Sequence, residues 1–93
     1  MKNKSTPWYV YMLICKDETI YTGIARDPQK RLAEHNSGMK GAKYTRSRRP
    51  VSLAYIEEVP SRSAAASREC RLKRFSRQRK LQLIWSSGYN AVP

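Results

Sequence analysis

Two tyrosines, an arginine, a histidine and one glutamate are the residues of this chain whose types and spacing suggest joint chemistry. Tyr11 closes Tyr9-Val10-Tyr11, Tyr21 opens Tyr21-Thr22-Gly23, and nine residues separate the two. Arg31 and His35 follow four apart, so they share one face of a helix. Phenol, guanidinium and imidazole together on a very basic protein suggest phosphate chemistry. Arginine gives paired donors to phosphate oxygens. A phenol ordinarily titrates near about 10, so it needs a cation or metal beside it to act as a base at neutral pH. Taken singly, each residue has a plainer role. The tyrosines read as core aromatics, Arg31 as a solvated charge, and His35 as a histidine capping a helix C-terminus, where the dipole favours a cation.

Glu69 shifts that balance. The segment Arg62 to Lys80 is densely basic and holds no other acid. Glu69 shares a helical stripe with Ala65 and Leu72, the side expected to face the core. One role is an ion pair with Arg68 or Lys73, worth only a few tenths of a kcal/mol, roughly, on an exposed helix. The other is a metal ligand. A lone carboxylate with retained waters and substrate phosphate oxygens is how Mg²⁺ is commonly held. A metal there would polarise a phosphodiester during in-line displacement.

The whole composition agrees with a polyanionic partner. The 93 residues carry a formal net charge of +12, and neutralising phosphates releases condensed counterions. A chain this short reads as one domain, residues 1–93 with a core at about 8–85, and its core is thin. No apolar run approaches membrane-spanning length, and the basic segments lack a broad apolar insertion face, so membrane binding is disfavoured. Residues 1–6 are polar with no long apolar stretch after them, which argues against a secretory signal and for a cytoplasmic location, nucleoid-associated or free. Cys15 and Cys70 read as two isolated thiols, with no disulfide-linked partner expected. One histidine and two distant cysteines nearly exclude a Cys/His zinc site.

Elements to position these residues can be read along the chain. Trp8 to Cys15 alternates as a strand, with Trp8, Val10, Met12 and Ile14 on one face and Tyr9, Tyr11 and Leu13 on the other. Lys16-Asp17-Glu18 is a turn, and Ile20 to Ala25 is a second strand pairing antiparallel with the first. Asp27-Pro28 starts a helix that runs to about Asn36 and stops at Ser37-Gly38. Residues 38–50 read as a basic loop. Val51 to Glu58 alternates as a third strand, with Val51, Leu53 and Tyr55 on one face. Pro60-Ser61 opens a second helix through Phe75. Ser76 marks a break, and Arg77 to Ser86 forms a third helix with Leu81, Ile84 and Trp85 inward. The tail from Gly88 is loose.

The ordered set Tyr9-Val10-Tyr11, Tyr21-Thr22-Gly23, Arg31, His35 and Glu69 resembles the GIY-YIG nuclease domain over about Trp8 to Trp85. It is more closely similar to the small stand-alone bacterial members, which share Gly41-Ala42-Lys43-Tyr44-Thr45 and the run Arg68-Glu69 through Leu83-Ile84. The resemblance implies an α/β (α+β) fold, a three-stranded antiparallel sheet flanked by about three helices. It also implies one Mg²⁺ (or Mn²⁺) per active site. By position, Tyr11 and Tyr21 take the two motif tyrosine roles, Arg31 the phosphate-binding arginine, His35 the helix histidine, and Glu69 the metal ligand. Tyr9 replaces the first Gly of the motif, and Thr22 replaces the Ile of the second. The family often has an asparagine after the metal-binding Glu; Asn90 is the only downstream candidate.

The expected function is a metal-dependent endonuclease acting on nucleic acid, with DNA favoured. The alternative is a nucleic-acid-binding module on a nuclease fold with weak or lost catalysis. In either case Lys43, Arg46, Arg48 and Arg49, together with Arg71 and Arg74 in the helical run Arg68 to Lys80, are expected to track phosphates. Tyr44 is available to stack on a base.

Overall fold

A computed structural model of the chain describes residues 7–37 and 43–86. Strand β1 (Trp8–Ile14) lies between β2 (Ile20–Ala25) and β3 (Ser52–Val59), and both pairings are antiparallel. Three full helices flank the sheet: α1 (Pro28–Ser37), α3 (Arg62–Lys73) and α4 (Arg77–Ser86). The single-turn α2 (Lys43–Arg46) interrupts what the sequence reads as a continuous loop. The central place of β1 explains why its middle residues are apolar or aromatic on both sides. Val10 and Met12 pack under Ala65, Leu72 and Ile84 of α3 and α4. Tyr11 and Leu13 face the other way, with Leu32 of α1 against their cluster.

The connections are pinned by polar side chains. In the β1–β2 turn, Glu18 takes a left-handed φ of 69°. Asp17 Oδ1 accepts from the Thr19 amide and hydroxyl, and Oδ2 accepts from Arg48 at 3.0 Å. Those bonds hold the Asp17 carboxyl below its ordinary pKa, the Thr19 hydroxyl contributing most. Asp27 caps α1 by accepting from the Lys30 amide, and Ser61 caps α3 by accepting from the Ala64 amide. Ser76 does the same for α4 through the Arg79 amide. Each satisfies an otherwise orphaned helix-start donor. Asn36, at the end of α1, donates to the Val51 carbonyl at 3.0 Å and accepts the Val51 amide at 2.8 Å. That two-way clamp ties the end of α1 to the start of β3.

Two expectations fail for identifiable reasons. Tyr55 does not share a face with Val51 and Leu53. Met12 pairs with Tyr55 and Leu13 with Leu53, so Ala54 is an extra residue in β3, a bulge. A bulge resets the alternation beyond it, and Tyr55 joins the cluster under α3 and α4. Trp85 is not inward: it is 73% exposed, whereas Ile84 beside it is buried. Neighbouring residues on a helix lie about 100° apart, so burying both would need a wider apolar face than α4 has.

Candidate active site

The β1–β2 register builds the site. Tyr11 pairs directly with Gly23, and the Tyr11 ring leans over that glycine. A Cβ on Gly23 would lie 2.6 Å from the Tyr11 hydroxyl oxygen, 2.8 Å from Cζ and 3.0 Å from Cε2 of Tyr21. Glycine is therefore the residue that admits both phenols. Their rings sit 6.4 Å apart, and His35 packs edge-on at 6.2 Å from Tyr11 and 5.1 Å from Tyr21. Helix α1 carries His35 into this place, where it is 0% exposed. His35 is thus buried beside the tyrosines and is not a surface capping residue.

A hydrogen-bonded chain runs through the cluster. His35 Nε2 lies 3.0 Å from the Tyr11 hydroxyl, and Nδ1 lies 2.7 Å from Thr45 Oγ1. The Arg31 guanidinium is a further hydrogen-bonding neighbour of the Tyr11 hydroxyl. Burial, then the Arg31 charge, lower the His35 pKa to about 4, against a smaller opposing pull from Glu34. The imidazole is neutral at physiological pH. Burial, then Tyr21, push the Tyr11 phenol well above its ordinary range, and Arg31 offsets only part of this. Without an added cation, Tyr11 is a protonated phenol in the resting site.

Arg31 is less open than the sequence suggests. Its guanidinium pairs with Glu34 at 2.9 Å, with side chains 30% and 23% exposed. A phosphate reaching Arg31 meets a carboxylate already there. Glu69 lies on α3 between the buried Ala65 and Leu72, as the stripe implies, and it pairs with Lys73 at 3.2 Å. Its charge raises the Tyr11 phenol's pKa, the weakest of the influences on that group. Among the described residues, no three His, Cys, Asp or Glu side chains gather as a metal cage. The donors present fit a hard cation that keeps waters and takes substrate phosphate oxygens on one carboxylate, and they do not fit zinc or a calcium cage.

The expected phosphate-tracking residues divide. Arg46, Arg71 and Arg74 are exposed, and the last two line an open cleft of about 310 Å³ with Ser67 and Cys70. Arg48 is tied to Asp17, which makes it a strut for the β1–β2 turn. Arg49 is half-buried, with one guanidinium nitrogen enclosed and without a hydrogen-bond partner among the described residues. The backbone of Lys43 and Tyr44 forms α2, but their side chains, with Gly41, Ala42 and Asn90, lie outside the described residues. Among the described residues, Cys15 and Cys70 are both free thiols, the first buried and the second exposed. No described helix is long and apolar enough to cross a membrane.

Three site residues are not foreseen from the sequence. Gly23 could have been found by pairing the hairpin about its turn, which sets it opposite Tyr11. Glu34 stands three residues after Arg31, a helical pairing distance. Thr45 closes the run Gly41-Ala42-Lys43-Tyr44-Thr45 shared with the small stand-alone members, but nothing in a hydroxyl within a basic loop assigns it to His35.

Comparison with known proteins agrees with this geometry. Residues 7–82 match the family model described as the GIY-YIG catalytic domain. A UPF0213 protein from Syntrophus aciditrophicus is 57% identical over 76 residues, which cover 82% of this chain and 87% of that protein. A UPF0213 protein from Desulfotalea psychrophila is 48% identical over 87 residues, covering 91% of this chain and 79% of that one. The solution NMR structure of a UPF0213 protein from Bacillus halodurans superposes with a TM-score of 0.56 at 44% identity, covering 88% of this chain and 86% of that one. These matches, with the same three-stranded sheet and flanking helices, show that the chain belongs to the GIY-YIG family, among its small stand-alone UPF0213 members.

Proposed function

We propose that the protein is a metal-dependent endonuclease that hydrolyses phosphodiester bonds in nucleic acid, with DNA the favoured substrate. The observation that carries this is the buried Tyr11–His35 pair, flanked by Arg31 and within the field of Glu69, on a chain of net charge +12. Glu69 would hold one Mg²⁺ or Mn²⁺, which when bound polarises the phosphodiester and offsets charge on the leaving oxygen. Arg31 donates to the non-bridging oxygens as their charge grows. Tyr11 takes a proton from the attacking water as its own proton passes to His35 Nε2. Tyr21 walls the site and fixes the imidazole edge. Arg46, Arg71 and Arg74 lead the phosphate backbone to it.

The test is wild type beside Glu69→Gln on branched, nicked, single-stranded and duplex substrates with Mg²⁺ or Mn²⁺. Glu69→Gln is expected to keep the fold and the binding and to lose roughly a thousandfold or more in cleavage, several kcal/mol of barrier. A folded Glu69→Gln protein that nicks at near the wild-type rate defeats the assignment. One observation favours a second reading: Glu69 pairs with Lys73 and Arg31 with Glu34, as in a binding module whose catalytic groups have become structural. Wild type that binds all four substrates and cleaves none selects that reading.

A further inference from the structure

We infer that Thr45 is a positioning residue that fixes the His35 imidazole as its Nδ1–H tautomer and so leaves Nε2 as an acceptor aimed at the Tyr11 hydroxyl. The functional importance of this role rests on the hydrolytic reading above; the tautomer itself does not. Donor accounting carries the inference. Among the described residues, the hydrogen-bonding neighbours of the Tyr11 hydroxyl are His35 and Arg31. A guanidinium only donates. The phenol's own proton therefore has one acceptor, His35 Nε2, 3.0 Å away. A neutral imidazole carries a single N–H. With Nε2 accepting, that hydrogen lies on Nδ1 and is directed at Thr45 Oγ1, 2.7 Å away. Thr45 is 0% exposed and sits on the short α2, so water does not replace it as the partner.

The opposite tautomer would point Nε2–H at the Tyr11 oxygen. Tyr11 would then face two donors and have no acceptor for its proton among the described residues, an arrangement that leaves a buried polar group unsatisfied. The tautomer also matters to the chemistry. As Tyr11 accepts a proton from water, its own O–H breaks and an Nε2–H forms. His35 becomes an imidazolium whose second N–H already rests on Thr45. The phenol ends the hand-off neutral: the negative charge leaves with the attacking hydroxide for the phosphate oxygens, to which Arg31 donates, and the imidazolium's charge is met by the Thr45 oxygen behind the ring.

His35 is the only histidine in the chain, so its ring nitrogens are unambiguous in a ¹H–¹⁵N long-range correlation spectrum of uniformly ¹⁵N-labelled protein at pH 7. Wild type is expected to show a protonated Nδ1 and an unprotonated Nε2. Thr45→Val, which keeps the shape and removes the hydroxyl, is expected to move the ring to a mixed or Nε2–H population, and Thr45→Ser to restore it. In plasmid nicking, Thr45→Val should lower kcat at least tenfold with KM within about twofold, and Thr45→Ser should recover most of it. A wild-type ring protonated on Nε2 overturns the inference, and it does so even where Thr45→Val fails to fold. So does a folded Thr45→Val protein with an unchanged ring. Wild type that nicks nothing refutes the hydrolytic reading and leaves the tautomer to be decided by the spectrum.

Discussion

Gly23→Ala is the substitution that most directly probes how the two tyrosines are admitted. Two effects oppose each other. Alanine in a strand gains about 0.5–1 kcal/mol over glycine, chiefly by restricting the unfolded chain. Against this, its Cβ would stand 2.6 Å from the Tyr11 hydroxyl oxygen and 2.8 Å from Cζ. Those distances are well inside contact, and the ring has nowhere easy to go, because the hydroxyl is bonded to His35 inside a buried cluster. Overpacking of this kind costs about 1–3 kcal/mol. If the ring moves far enough to break the bond to His35, a buried polar pair is left unsatisfied for about another 1–3 kcal/mol. The net is a loss of about 2–4 kcal/mol. At about 4–8 °C per kcal/mol for a domain of this size, the melting temperature should fall by roughly 10–25 °C. Thermal and urea unfolding measure this. Tyr11→Phe removes the atom in the closest contact, so the double variant Gly23→Ala/Tyr11→Phe should lose less than the two single changes summed, with a coupling of about 1 kcal/mol or more. A Gly23→Ala protein that melts within about 2 °C of wild type would refute the close-approach account of this glycine.

Three other perturbations test separate parts of the structure. The Thr22 hydroxyl is buried with no hydrogen-bond partner among the described residues, so the isosteric Thr22→Val should stabilise the fold by about 1 kcal/mol in urea unfolding; a destabilised variant would mean that the hydroxyl is satisfied after all. Removing the carboxylate beside Arg31 with Glu34→Gln should raise nucleic-acid affinity a few-fold and change stability by less than about 0.5 kcal/mol; weaker binding in a filter or anisotropy assay would show instead that Glu34 aims the guanidinium. His35 has a folded pKa of about 4 against an ordinary 6.5, so the unfolded chain binds the proton more readily. Its contribution is complete above about pH 6.5 and is lost as pH falls toward 4, about 2 kcal/mol between pH 7 and pH 5. That slope should flatten in His35→Gln, and an equally steep slope in the variant would assign it to other groups.

The parts of this molecule legible in sequence are those governed by period and by local caps. Val10 and Met12 alternate with Tyr11 and Leu13, and Asp27-Pro28 and Ser61 announce helices because the donors they satisfy are next to them in the chain. Tyr55 and Trp85 escape those rules for a different reason. A bulge at Ala54 is invisible to a rule of strict alternation, and the width of the apolar face of α4 depends on what packs against it. The site divides along the same line. Arg31 and His35 could be set on one face by counting four residues, but what each one touches comes from elsewhere. Thr45 reaches His35 from ten residues away by way of a single helical turn, and Glu69 reaches the field of Tyr11 from a different helix.

This division also explains why the chain can depart from its family's motif and keep the geometry. Tyr9 and Thr22 stand where the motif has Gly and Ile, yet among the described residues the ring contacts of the cluster are those of Tyr11, Tyr21 and His35. Thr22 pairs with Met12 and so projects to the opposite face of the sheet from Tyr11 and Tyr21. Gly23 is different, because its missing Cβ is the space the Tyr11 ring occupies. Of the motif's positions in this chain, Tyr11, Tyr21 and Gly23 are constrained by contact with one another and with His35. The rest need only be compatible with a strand. Substituting Tyr9 with Gly should therefore leave the Tyr11–His35 bond in place, whereas any side chain at position 23 should disturb it.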